Sequence, residues 1–183
     1  MVAITLITCI LAYLGFDVVV PHLQDQGLTV TQAGSVQSVM LLSLTAAKIL
    51  AGYLCDAIGA RKVALLCLGL LTAGLLLLAM ATGFAAALIA VVIYAASLPI
   101  LTVIIPLLTA SLFGYRAQTQ YIGVFLAMSG AAGIVGSPVS NMVYDKAGSY
   151  SPVFLTAAAL AAVMIVVYLF MYRSADKLRK KTI

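Results

Sequence analysis

The chain contains no tryptophan and no glutamate, only one histidine, and five aspartates as its sole acidic residues among 183. Charged residues make up 8% of the sequence, whereas 64% is hydrophobic and the mean hydropathy is +1.20. So apolar a composition, with so few charges, excludes an ordinary soluble domain of this size. It predicts an integral membrane protein.

The same scarcity limits the chemistry that the chain can perform. The stretch "DAIGAR" resembles part of the signature of CDP-alcohol phosphatidyltransferases, whose two-metal chemistry needs clustered carboxylates. After Asp56, however, the next acid is Asp145, which we expect on the other side of the membrane. The lone His22, expected in an outer loop, has no nucleophile motif to partner, so an intramembrane protease is disfavoured too. Neither a selectivity-filter loop nor a voltage sensor is visible, which argues against a channel.

Cysteines are also few. Cys9, Cys55 and Cys67 lie in or at the edge of apolar stretches without metal-ligand spacing, so we interpret them as small buried hydrophobic residues. We therefore expect no catalysis, no cofactor and no metal site. A non-transporting sensor or scaffold module stays open as an alternative to a transporter, with a lipid-headgroup transferase the less favoured one.

Six apolar stretches are long enough to cross a membrane, since a hydrocarbon core of about 30 Å takes about 20 helical residues. They are residues 2–21, 33–54, 63–82, 84–111, 119–143 and 152–172. The sequence therefore predicts an all-α, polytopic bundle of six transmembrane helices over residues 1–172, followed by a basic tail over residues 173–183.

The basic residues are distributed unevenly. If the N-terminus is cytoplasmic, eight of the ten Lys and Arg residues are cytoplasmic, Lys146 is outside and Lys48 lies within a span. The positive-inside rule favours this orientation. The net charge of +5 is then topological, and we expect the tail to face anionic lipid rather than nucleic acid. The prediction is a cell-membrane protein with both termini cytoplasmic.

Polar side chains inside the spans are candidates for binding a solute. They are Gln37, Thr45 and Lys48 on the second stretch, Tyr13 and Asp17 on the first, and Tyr94 and Ser97 on the fourth. Gln37, Thr45 and Lys48 share an arc of about 80° with Gly52 at 100° per residue. For Tyr94 and Ser97, ordinary hydrogen bonding between helices is an equally good interpretation. Asp17 is a candidate for binding a proton or cation.

Prolines and small residues predict local features of two helices. Pro99 removes a backbone donor and is expected to kink the fourth helix. On the fifth, Ser129, Gly133 and Ser137 recur every four residues, as do Ala132 and Gly136, which predicts close helix packing. Pro138 is expected to break or bend that helix.

The segment "GYLCDAIGARK" carries the clearest motif. Its residues Gly52, Leu54, Asp56, Gly59, Arg61 and Lys62 resemble the Gly-x-Leu-x-Asp-x-x-Gly-x-Arg-Lys loop of major facilitator superfamily transporters. Ala57 stands where a basic residue is usual in the family, and Ala60 where Arg is common. The stretches "PHLQDQGLTVTQAG", "PLLTASLFGYR" and "GSPVSNMVYDKAGSYSPVF" are similar to other junctions of the same family, so the resemblance spans most of the chain.

The order of these junctions resembles the C-terminal half of a twelve-helix transporter. The resemblance implies a small-molecule solute, a lipid bilayer and a second six-helix half as partners, supplied by upstream sequence, a separate chain or a second copy. It also implies that Gly52, Asp56, Gly59, Arg61 and Lys62 serve the gate between the two halves.

A finer resemblance concerns the solute. Monocarboxylate and oxalate–formate type members carry a substrate-binding basic residue four positions before the glycine of this helix, as Lys48 stands before Gly52. Monocarboxylate carriers place Asp where this sequence has Leu44. A lysine in a helix centre costs about 2.5–3.5 kcal/mol on insertion scales, so it needs a partner. We expect a small organic anion, carried by symport or antiport; snorkelling of Lys48 to the headgroups, or pairing with a carboxylate of the second half, are the alternatives.

Overall fold

A computed structural model describes residues 2–108 and 115–181, with side chains over 7–108, 122–124, 126–136 and 138–170. All regular structure within these ranges is helical. The helices are α1 (Val2–Asp25), α2 (Val30–Ile58), α3 (Ala60–Met80), α4 (Phe84–Ser97), a π-helical turn (Ile100–Ile104) that continues α4 to residue 108, α5 (Tyr115–Ala147) and α6 (Ser151–Lys181). Six of these segments are long and apolar enough to cross a membrane, which confirms the predicted fold class.

The helix ends differ from the predicted spans for local reasons. At the start of α2, the Thr29 hydroxyl accepts a hydrogen bond from the Gln32 amide at 3.3 Å, and the Gln32 side chain accepts one from the Thr29 amide at 3.1 Å. This capping box satisfies amides that the helix itself leaves unpaired, so α2 begins earlier than hydropathy indicates. At the other end of the chain, α6 runs on through the basic segment to Lys181.

An expectation about the first helix is wrong, and the fifth helix is not broken. α1 continues through Pro21 to Asp25, so His22 lies in its last turn rather than in a loop, and its side chain is fully buried. The His22 Nε2 atom lies 3.0 Å from the carbonyl oxygen of Leu78, which ties the end of α1 to the end of α3. Pro138 does not break α5, which runs uninterrupted from Tyr115 to Ala147.

The α4 segment follows its prolines more closely. Pro99 has no N–H, and its ring clashes with a carbonyl four residues back, here that of Ala95. The Leu98 amide donates to that carbonyl at 3.2 Å instead, and the α-helix ends at Ser97. The chain then adopts the π-helical turn, which closes with a bond from the Ile105 amide to the Ile100 carbonyl. The predicted irregularity at Pro99 is therefore confirmed.

The core of the bundle is built around α3, which packs most extensively against α6 and α4 and also contacts α2. α1 packs against α5 and α6. Its contact with α5 uses the small-residue stripe: Ala132 is buried, and a Cβ placed on Gly136 would lie 3.6 Å from a Leu14 methyl carbon. The close packing predicted for these two residues is therefore observed. A Cβ at Gly133 would meet nothing within 4 Å.

The tightest approach of two helices is that of α3 to α4. A Cβ on Gly74 would lie 2.6 Å from the Cα of Tyr94, a backbone atom that cannot move out of the way alone. Gly69, also on α3, has open space where its Cβ would be. Only Gly74 is therefore required to be glycine by this contact.

We expect Gly74→Ala to destabilise the bundle by roughly 1–3 kcal/mol, because overpacking must push α3 and α4 apart. Gly69→Ala is the matched control, and we expect it to keep or raise stability, since alanine is the better helix former by up to about 1 kcal/mol. Thermal unfolding of the purified proteins in detergent measures both. Equal midpoints for the two variants would contradict the close approach.

Candidate functional site

A cleft is formed by α1, α2 and the segment that continues α4. Its volume is about 230 Å³, and it is partly open to the surroundings. The lining residues are Ala12, Tyr13 and Phe16 of α1, Leu44 and Lys48 of α2, Leu98 beside Pro99, and Leu101 and Thr102 of the π-helical turn. The cleft is thus mostly apolar, with three polar side chains.

The cleft lies near the middle of the membrane-spanning segments. Tyr13, Lys48 and Thr102 each stand within about six residues of the centre of their own span. At 1.5 Å per residue this places them within about 9 Å of the centre. Lys48 and Thr102 are displaced from their span centres towards the end of the bundle where α2 meets α3, and Tyr13 lies at the middle of α1.

The three polar side chains have no partner within the described part of the chain. The ammonium of Lys48, the hydroxyl of Tyr13 and the hydroxyl of Thr102 make no hydrogen bond or ion pair there. Lys48 is exposed and Tyr13 is half-buried. A cation and two hydroxyls that converge on an apolar cleft without satisfying one another can hold a small solute with one anionic group.

The other candidates on α2 lie outside the cleft lining. Thr45 is exposed, and its hydroxyl donates to the Leu41 carbonyl of its own helix at 3.0 Å. Gln37 is half-buried, and its side-chain oxygen has no hydrogen-bond partner. Asp17 of α1 is exposed, and it takes part in an interaction within the chain. The structure therefore brings Lys48 and Tyr13 together but not the whole predicted set.

Tyr94 and Ser97 are fully buried and hold the fold around the cleft. The Tyr94 hydroxyl donates a hydrogen bond to the carbonyl oxygen of Ala12, which is itself a cleft residue. The Ser97 hydroxyl donates to the Tyr94 carbonyl at 2.6 Å. These bonds favour the structural interpretation of both residues, since neither hydroxyl is left over for a solute.

Sequence reasoning missed the five apolar lining residues and Thr102. Phe16, Leu98 and Leu101 look like any other apolar residue of a span. Thr102 stands three residues after Pro99, and this proximity to a helix irregularity was the one available signal.

The loop motif is built around one residue. Gly59 alone separates α2 from α3, with φ of +89°, a conformation that favours glycine. Its amide donates to the Cys55 carbonyl at 3.0 Å, and its carbonyl accepts from the Lys62 amide at 3.1 Å. Asp56 and Lys62 are exposed, whereas Gly52 and Arg61 are half-buried, and Arg61 has a partner within the chain. The motif thus forms a tight turn at one end of the bundle.

Six helices that are long and apolar enough to cross a membrane define a polytopic membrane protein. The sequence model of the Major Facilitator Superfamily matches residues 2–182, and the chain belongs to this superfamily. Its members are in general membrane transporters rather than enzymes, and six all-helical spans agree with half of the superfamily fold. No curated protein matches the chain as a relative.

Two tyrosines of similar chemistry separate structure from binding. We expect Tyr94→Phe to lower stability by about 1 kcal/mol, because it removes a buried hydrogen bond to α1. Tyr13→Phe should change stability by less than about 0.5 kcal/mol, because the Tyr13 hydroxyl has no partner to lose. Thermal unfolding in detergent distinguishes them. A larger loss for Tyr13→Phe than for Tyr94→Phe would contradict this assignment.

Proposed function

We propose that the protein transports a small organic anion, such as a monocarboxylate, across the cell membrane, and that Lys48 binds the anionic group of the solute. The mechanism is secondary active transport by alternating access. The observation that carries this proposal is a lysine that has no partner among the described residues and that lines a mostly apolar cleft together with the hydroxyls of Tyr13 and Thr102.

The energetics of Lys48 support an anionic partner. Its position on α2 is about 15 Å from the helix end at Ile58, at 1.5 Å per residue. An ammonium so deep in a membrane span is costly unless it pairs with a counter-charge or reaches water. No carboxylate of the described residues pairs with it. A carboxylate solute entering the cleft would supply the missing charge, and a charge-assisted hydrogen bond is about twice as strong as a neutral one.

The dimensions of the cleft support a small solute. A volume of about 230 Å³ lies below the roughly 300–1,000 Å³ of sites that hold drug-sized ligands. Phe16, Leu44 and Leu101 offer an apolar surface to the body of the solute. A short carboxylate with an apolar body fits this combination of one cation and an apolar wall.

The test of this proposal is uptake of labelled acetate, propionate, benzoate and oxalate by membrane vesicles that contain the complete transporter. Neutral and cationic solutes are the controls for charge. We expect Lys48→Gln to raise the KM for anions about tenfold or more, because it removes a charged hydrogen bond, and Lys48→Arg to retain part of the affinity. Lys146→Gln, an exposed lysine at the end of α5, is the matched control variant.

The outcomes discriminate between the interpretations of Lys48. Loss of anion uptake alone, with unchanged unfolding temperature, supports solute contact. If Lys48 served only to pair with another carboxylate of the protein, Lys48→Gln would lower the unfolding temperature and the uptake of every solute alike. Unchanged anion affinity in a well-folded Lys48→Gln protein would contradict the proposal.

We also propose that transport needs a second six-helix half. Only 11% of the α2 span and 19% of the α5 span are buried inside the chain, against 39–61% of the other four. The exposed side of α2 carries Lys48, whose charge is unfavourable against lipid. A second half covering this side would complete the cavity, since solute sites in inverted- or parallel-repeat transporters lie between repeats.

This requirement predicts that the isolated chain, reconstituted in liposomes and shown to be monomeric by single-molecule photobleaching, carries no solute. Restoring a second half, from upstream coding sequence or as a separate chain, should restore uptake. Protein reconstituted at a density that permits self-association controls for a second copy as that half. Robust flux through monomers would contradict the proposal.

The turn at Gly59 is the proposed gate element between the two halves. Because a single residue joins α2 to α3, tilting of α2 must be accommodated there, next to Asp56, Arg61 and Lys62. An orientation with both termini cytoplasmic, supported by the eight-to-one distribution of basic residues, places this turn on the cytoplasmic side.

A further inference from the structure

The π-helical turn after Pro99 gives Thr102 an environment unlike that of Thr45, Thr72 and Thr156. We propose that the Thr102 hydroxyl binds the transported solute directly, and that the π-helical turn makes this hydroxyl available. The proposal rests on the cleft being the transport site, but not on the solute being a carboxylate.

Threonine in an α-helix normally donates its hydroxyl to the carbonyl four residues earlier. Three threonines of the bundle do so: Thr45 to Leu41 at 3.0 Å, Thr72 to Leu68 at 3.0 Å, and Thr156 to Pro152 at 2.9 Å. In each case the hydroxyl is satisfied within its own helix, even where the side chain is exposed. Exposure of a threonine in this bundle therefore does not by itself leave a free hydroxyl.

Thr102 does not form this bond. The carbonyl four residues earlier is that of Leu98, which accepts a hydrogen bond from the Leu101 amide at 3.1 Å. The Thr102 hydroxyl has no other partner within the described residues. π-Helical turns are rare, and they are found frequently at functional sites. In this turn the hydroxyl of Thr102 is left without a partner among the described residues.

The position of Thr102 places its hydroxyl at the cleft. Its neighbours Leu101 and Ile104 are buried, whereas Thr102 is exposed and lines the cleft with Lys48 and Tyr13. Lys48 belongs to α2 and Tyr13 to α1, so Thr102 is the only polar group that the α4 wall contributes to the described cleft. A solute held by all three groups would be contacted from three helices. The site would then select the orientation of the solute as well as its charge.

The first test compares variants that differ by one hydroxyl. Thr102→Val keeps the shape of the side chain but removes its hydroxyl. If the solute group that this hydroxyl contacts is charged, we expect the KM of the best-transported solute to rise about tenfold. Thr102→Ser should stay within about threefold of the wild type. Thr45→Val is the matched control, because its hydroxyl is already bonded within α2, and it should behave as the wild type. A Thr102→Val protein with wild-type KM would overturn the proposal.

The second test detects contact without depending on the chemistry of the solute. The three native cysteines, Cys9, Cys55 and Cys67, are buried, so a Thr102→Cys protein offers one accessible thiol among the described residues. We expect a small methanethiosulfonate reagent to label it, and the transported solute to protect it. Absence of labelling, or labelling that no transported solute slows, would overturn the proposal.

The two proposals fail in different ways. Suppose that carboxylates are not taken up and do not protect the Thr102→Cys thiol, but a neutral or cationic solute of the panel is taken up and does protect it. The carboxylate function is then wrong and the role of Thr102 stands. If Lys48→Gln abolishes anion uptake while Thr102→Val is silent, the carboxylate function stands and the role of Thr102 is wrong.

Discussion

The burial of Tyr94 between two glycines is the contact on which the candidate site depends. Gly74 of α3 lets the backbone of α4 approach so closely that a Cβ there would lie 2.6 Å from the Tyr94 Cα. On the other side, a Cβ on Gly15 of α1 would lie 2.6 Å from the Tyr94 hydroxyl oxygen, which reaches the Ala12 carbonyl. One side chain therefore sets the spacing of α1, α3 and α4, and this spacing brings Tyr13 and Phe16 to face the segment that carries Thr102.

Irregular backbone in a membrane span is tolerated where it is buried in protein or lines a cavity, because lipid offers its polar groups no partners. The π-helical turn after Pro99 meets this condition. Ile100 and Ile104 pack into the core, and Leu101 and Thr102 line the cleft. The proline that disrupts α4 and the lysine that is costly on α2 thus lie against the same cavity. Locally unfavourable features of this kind are expected to cluster at a functional site.

The two ends of the bundle are organised differently. Where α2 meets α3, the link is a single glycine with exposed charges around it, so the helices can change their relative tilt at one residue. At the opposite end, buried His22 lies against the Leu78 carbonyl, and its ring packs tilted against that of Phe154 with the centroids 4.8 Å apart. The Tyr144 hydroxyl donates to Asp25 at 2.8 Å. These contacts join α1 to α3, α5 and α6. Side-chain contacts therefore connect the helices at the end of the bundle that is far from the proposed gate.

The sequence by itself determined the number and order of the membrane helices, because a stretch of about 20 apolar residues has no other stable state in a bilayer than a helix. It also determined the glycine turn and the superfamily, since both follow from residues close together in the chain. Lys48 was found as a charge where charge is costly. The tertiary structure alone decided the composition of the cleft. Whether the hydroxyl of Tyr13, Tyr94 or Thr102 is free depends on which carbonyls lie nearby. The carbonyls near Tyr94 were set by the approach of α1 to α4, and those near Thr102 by the backbone after Pro99. The contact of Tyr94 with Ala12 joins residues more than 80 positions apart, which no local pattern encodes.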